Sequence, residues 1–134
     1  VVDKEGEVNF MVGPSGGMGK VEGSAGRDNV EYSDVISVSG ISLDGFVYQQ
    51  GNPSPDVLKM DIEGGEVLAL PGMQRLIAQE KPVVLLELHG PEAANTVWEF
   101  FQKEGYHFQQ MRTGYPPIHC KEELDWKSYL VAIP

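Results

Sequence analysis

The side chains best suited to chemistry fall in two short runs: Lys59, Asp61 and Glu63 in DVLKMDIEGGE, and Glu87 with His89 in PVVLLELHG. Carboxylates and an imidazole that meet in one crevice can take a proton from a hydroxyl, a task that needs a base tuned near neutral pH at hydrogen-bond distance. The same carboxylate oxygens suit a hard divalent cation, but no dedicated ligand motif accompanies them.

Both runs close an apolar strand. A period of two puts Val57, Lys59 and Asp61 on one face of the first strand, with Leu58, Met60 and Ile62 on the other. Val83, Leu85, Glu87 and His89 share a face of the second. Between them a helix begins near Gly65 with Glu66, Val67 and Leu70, is interrupted by Pro71 and Gly72, and resumes through Leu76 and Ile77 until Lys81 and Pro82. Strand, helix and strand make one βαβ unit with parallel strands. Asp61, Glu63, Glu87 and His89 then converge outside the carboxyl ends of the strands, where open α/β sheets meet their ligands. Lys59 in mid-strand is expected to reach a carboxylate, with Asp61 or Glu63 as natural partners, or to snorkel to the sheet end, because a buried unpaired ammonium is costly. The continuous apolar run of the second strand predicts a sheet covered on both faces.

Around this unit the pattern predicts a strand over Glu7–Val12, another at VISVS, and a short helix in SLDGFVYQQ whose first turn Ser42 can cap. A helix from Pro91, with Ala94, Val97, Trp98 and Phe101 as its apolar stripe, ends at Gly105. YHFQQM and SYLVAIP read as two further strands. The connection TGYPPIHCKEELDWK is too long for a tight hairpin and should cover a sheet edge or a site mouth, where Tyr115 and Trp126 are candidates to line a pocket. The glycine-rich loop GPSGGMGKVEGSAGRDN should be mobile or functional, but it is not a nucleotide loop. Five residues separate Gly13 from Gly19 where a P-loop has four, and Val21 follows Lys20 where it has Ser or Thr. Gly17, Gly19 and Gly23 do not reproduce GxGxxG either. His107 and His119 have no metal-site spacing.

With 134 residues, 41% of them hydrophobic, the chain has the size and apolar content of one domain. A net charge of −10 disfavours nucleic acid and anionic membranes as partners. The single cysteine, Cys120, excludes an internal disulfide and a cysteine-rich zinc site, as expected in a reducing compartment. No run is long and apolar enough to span a bilayer and no signal peptide is evident, so the sequence reads as that of a soluble, cytoplasmic protein.

DVLKMDIEGGEVLALPGM followed by PVVLLELHG resembles the carboxyl-terminal half of FkbM-type methyltransferases, most specifically in the K-x-D-x-E-G-x-E run from Lys59 to Glu66. SLDGF is similar to the family's SLD element, and VVDKEGEVNF to its small strands after the third core strand. The resemblance implies S-adenosylmethionine as cofactor and methyl transfer to a hydroxyl of a sugar or secondary metabolite. It implies an α/β fold: the carboxyl-terminal half of a Rossmann-like class I methyltransferase sheet, mostly parallel with an antiparallel final strand. Asp61, Glu63 and His89 would then be catalytic, Asp61 also facing the cofactor, while Lys59 and Glu87 would contact the small-molecule acceptor. No metal is expected.

The family's D-x-G-A-x-x-G cofactor turn and its ribose-holding acid are absent from residues 1–134, which are therefore expected to form a partial domain, inactive alone. In the family's sheet order the fourth strand pairs with the first, so Val57–Ile62 is expected to be an open edge that drives self-association. Two other readings stand beside this one. A noncatalytic interaction module would keep the sheet and bind no cofactor; a metal-assisted hydrolase using Asp61, Glu63, Glu87 and His89 would lose activity to a chelator.

Overall fold

Apolar periodicity and turn residues set the elements in chain order. The computed structural model describes residues 1–15, 18–26, 30–125 and 127–134. Strands β1 (Gly6–Val12), β2 (Lys20–Val21) and β3 (Asp34–Gly40) form a small antiparallel sheet in the order β2-β1-β3. Its register pairs Val8 with Val38 and Phe10 with Val21. SLDGFVYQQ winds as a wide π-type turn over Gly45–Gln49, where Ser42 Oγ accepts the Gly45 N–H at 3.0 Å, the capping role expected of it.

The second sheet begins with β4 (Val57–Met60). A helical crossover follows: α1 (Glu66–Ala69), a 3₁₀ turn over Leu70–Met73 at the Pro71–Gly72 break, and α2 (Gln74–Glu80). Asp44 caps α2 from a distance, its carboxylate accepting the Arg75 N–H at 2.9 Å and the Leu76 N–H at 2.8 Å. Those are the amino-terminal donors that lack partners within a helix. Strand β5 (Val83–His89) lies parallel to β4, with Lys59 opposite Leu85. Helix α3 (Pro91–Lys103) follows, then β6 (His107–Gln110), β7 (Pro117–Ile118) and β8 (Lys127–Ile133).

The sheet order β4-β5-β8-β6-β7 corrects the expectation of a mostly parallel sheet, while the expected antiparallel final strand is present as β8. Strand β8, last in the chain, inserts between β5 and β6 and runs against both, while β7 runs against β6. Only β4–β5 remains parallel among the four pairs, so the sheet is largely antiparallel within a mixed α/β fold. One late strand placed centrally turns both of its neighbours into antiparallel pairs. β7, from the long late connection, covers the β6 edge as the sequence predicts. Tyr115 stays exposed there, and the expectation for Trp126 lies outside the described residues.

The core sits on one face of this sheet. Met60, Val84, Leu86, Leu88, Leu130 and Ala132 pack against Ala69, Leu70, Ile77, Val97 and Phe101 of the helical layer. Each valine, leucine, isoleucine, methionine or phenylalanine among them contributes about 1.5–3 kcal/mol on full burial. Pro91 at the first turn, Glu92 beside it and Lys103 in the last turn suit the ends of α3, and Gly105 (φ 83°) stops it. Trp98 then stacks on Phe108 with ring centroids 5.0 Å apart. The Tyr106 hydroxyl donates to Pro82 O at 2.9 Å, tying the start of β6 to the start of β5.

The opposite face is half open, which corrects the expectation that both faces are covered. Val57 and Tyr129 are exposed there, and Leu85 is only partly buried. An apolar run is compatible with a two-sided core but does not supply the second layer. For the same reason Lys59 is not a buried lysine: its side chain is 67% exposed.

Candidate functional site

The site forms where β4 and β5 end. After Met60 the chain turns sharply: Glu63 (φ 51°) and Gly64 (φ 86°) both take left-handed backbone, and Gly65 leads into α1. The conformation is ordinary for glycine and costs a residue with a Cβ about 1–2 kcal/mol. A strained acidic residue at a strand end marks a position held by its surroundings. Those surroundings come from the glycine-rich loop. Ala25 N–H donates to Gly64 O at 2.9 Å, and a Cβ at Gly64 would collide with the Gly26 backbone, as one at Gly26 would with Glu63 O. The loop that fails as a nucleotide cradle therefore braces the Glu63–Gly64 turn.

The four polar groups expected to converge do so, because parallel β4 and β5 end side by side. Lys59 Nζ meets Asp61 Oδ2 at 2.9 Å. This contact holds the lysine's pKa above its ordinary value. His89 Nε2 lies 3.3 Å from Glu87 Oε1 and 3.9 Å from Glu63 Oε1. The imidazole is buried, at 1% exposure, whereas Glu63 and Asp61 keep 24% and 34% of their side-chain surface. A bound molecule would therefore touch the two carboxylates before the ring.

Lys127 is the partner that sequence reasoning missed. At the start of β8 it stands opposite His89, and its Nζ lies 2.6 Å from Glu87 Oε1. That ammonium, more than the nearby Tyr129 hydroxyl, draws the Glu87 pKa below the ordinary carboxylate range. The signal was present only in strand pairing, since Lys127 is remote in sequence from Glu87. Asp61, Glu87 and His89 also place one ligand atom each within 4.8 Å of one another, a spacing that could hold a cation. Lys59 and Lys127 already supply positive charge to its two carboxylates.

Glu66, the last residue of the K-x-D-x-E-G-x-E run, is fully buried at the start of α1. Among the described residues no hydrogen bond of normal geometry reaches either carboxylate oxygen. Burial raises its pKa, Asp61 and Glu63 push the same way, and the nearby N–H groups of Glu66 and Ile62 offset part of this.

A cleft of about 350 Å³ opens beside Asp61 and Glu63, between the small sheet and the start of α1. Such a volume lies at the low end for small-molecule sites, about 300–1,000 Å³. Sequence reasoning did not find it, because one wall comes from the small sheet and the other from the turn and helix that follow β4. His107, His119 and Cys120 are exposed and lie outside both the cleft and the cation-spaced cluster. Among the described residues, no helix is long and apolar enough to cross a membrane.

A family model described as the Methyltransferase FkbM domain matches residues 3–108, covering Lys59, Asp61, Glu63, Glu87 and His89. Neither a curated protein nor a solved structure matches the chain.

Proposed function

The chain belongs to the FkbM methyltransferase family, and on that premise we propose that it serves S-adenosylmethionine-dependent O-methylation of a small hydroxyl-bearing molecule. The observation that carries the reading is the meeting of Asp61, Glu63, Glu87 and His89 where the parallel strands end, beside a cleft of small-molecule size.

The partly exposed Asp61 and Glu63 carboxylates suit the cationic end of this cofactor, and Asp61, paired with Lys59, would face it. When bound, the cofactor supplies a methyl group on a sulfonium and is left as a neutral thioether. The chain's own residues do the rest. Glu63, on the cleft wall, orients the acceptor hydroxyl and takes its proton as the new O–C bond forms. His89, buried behind it, fixes Glu63 and Glu87 relative to one another, and Lys127 keeps Glu87 ionised. Lys59 and Glu87 flank the acceptor's approach. The glycine-rich cofactor turn of the family is not in this sequence, so residues 1–134 supply the methyl-transfer end of the site and are inactive alone.

The carboxyl-terminal half of a class I methyltransferase sheet is the architecture this reading entails, and the edge strand β4 is where the chain self-associates. Metal-assisted hydrolysis draws less support, since lysines already neutralise Asp61 and Glu87.

Calorimetric titration of S-adenosylhomocysteine into this chain and into one extended upstream tests the proposal. Binding by the extended chain alone is the expected result. No binding by either would overturn the methyltransferase reading in favour of an interaction module.

A further inference from the structure

The walls of the cleft differ sharply in character from its polar end. Val8, Phe10, Val21 and Val38 of the small sheet face Ile62 and Leu68 of the site segment across it. Asp61 and Glu63 lie at the polar end, and the buried Lys20 also contributes to the lining, its ammonium 5.7 Å from the Tyr32 ring centroid. Most of a bound molecule's surface would therefore contact hydrocarbon, with acidic oxygens at one end.

We propose that this cleft is the acceptor site, and that the acceptor is an uncharged, largely apolar molecule presenting a hydroxyl to Glu63, not a free sugar. The inference rests on the methyltransferase reading for the word acceptor, but the binding chemistry stands on the cleft itself. A sugar carries hydroxyls around its whole ring. Against valine, phenylalanine and leucine walls most of them would lose water and gain no partner, which penalises binding. At the polar end an anion would meet the Asp61 and Glu63 carboxylates as well as the Lys20 ammonium, so charge there does not single out an anion. An apolar body satisfies the walls, and one hydroxyl donates to a carboxylate whose left-handed turn is braced by the Ala25–Gly64 hydrogen bond. Small-molecule sites commonly combine an apolar lining with a few fixed polar groups in this way.

The probes are 2-naphthol and methyl α-D-glucopyranoside, titrated into the chain with methyl groups followed by NMR. The expected result is saturable naphthol binding that shifts the methyl resonances of Val8, Val21, Val38 and Leu68, with no response to the glucoside. Val38→Trp, which fills the cleft, should weaken naphthol binding by about tenfold or more. The wild-type methyl shifts locate the probe even if that variant fails to fold. No naphthol binding, shifts confined to methyls outside the cleft, or glucoside binding as tight as naphthol would overturn the proposal. Neither probe titration contains a methyl donor, so failure here with S-adenosylhomocysteine binding intact removes only the acceptor assignment. Naphthol in the cleft without cofactor binding in the extended chain removes only the methyltransferase reading.

Discussion

Lys127 Nζ lies 2.6 Å from Glu87 Oε1, so a residue of the last strand supplies the counter-charge for a carboxylate on the strand that carries His89. The pair is made across the β5–β8 ladder and exists only because those strands are neighbours.

Lys127→Met should lower the thermal midpoint at pH 7. The Glu87 pKa is depressed in the folded state, chiefly by this lysine, so its contribution is present above the unfolded carboxylate range, near 4.3, and is lost as pH falls through the folded value. The Lys127 pKa is raised, chiefly by Glu87, so the same contribution is lost again as alkaline pH passes the folded lysine value. Melting curves across the pH range should show the gap between wild type and variant narrowing toward acid and again toward alkaline pH. A constant gap across the range would mean that packing, not charge, is responsible.

Glu66→Gln should stabilise the protein at neutral pH. A buried acid with a raised pKa binds its proton more tightly when folded, so stability declines as pH rises from the unfolded carboxylate value through the folded one. Replacing the acid removes that decline, with a gain on the order of 1 kcal/mol at pH 7 and little change near pH 4. Urea denaturation at the two pH values measures it. Destabilisation at pH 7 without destabilisation at pH 4 would show that the ionised carboxylate has a partner the variant loses.

Glu63→Gly separates stability from function. Glycine relieves the left-handed backbone at φ 51°, which should add about 0.5–1 kcal/mol of stability. The same change removes the carboxylate assigned to the acceptor proton, so methyl transfer by an extended, active chain should fall about 100-fold or more. A stabilised variant with wild-type turnover would remove Glu63 from the reaction.

Asp44→Ala should cost about 1–2 kcal/mol, because two donors at the start of α2 lose their acceptor. Asp44→Asn, which keeps one acceptor oxygen, should recover part of the loss in chemical denaturation. If both variants match wild type, water replaces the cap at no cost.

The β4 edge should pair with a second copy of the chain. Val57 and Lys59 are exposed on a strand that, among the described residues, has a neighbouring strand on one side only, and unpaired backbone groups there template another strand. Sedimentation velocity at high concentration should show a dimer that Val57→Lys shifts toward monomer, since a charged edge opposes pairing. A wild-type chain that stays monomeric throughout would refute the association.

The sequence by itself determined the local elements and the convergence of the site. Two apolar runs with a broken helix between them imply parallel β4 and β5, and parallel strands of that register must bring Asp61, Glu63, Glu87 and His89 to one end. Ser42, Pro91 and Gly105 were legible as caps and stops because capping is a matter of a few consecutive residues. Tertiary structure alone decided what depends on neighbours remote in sequence. It placed β8 between β5 and β6 and made the sheet largely antiparallel, brought Lys127 to Glu87, and sent Asp44 to cap α2. It also left one sheet face half open, so that Lys59 stands in solvent. The apolar periodicity of a strand records that it can be buried; which face is covered, and by what, is fixed only when distant segments compete for the same surface.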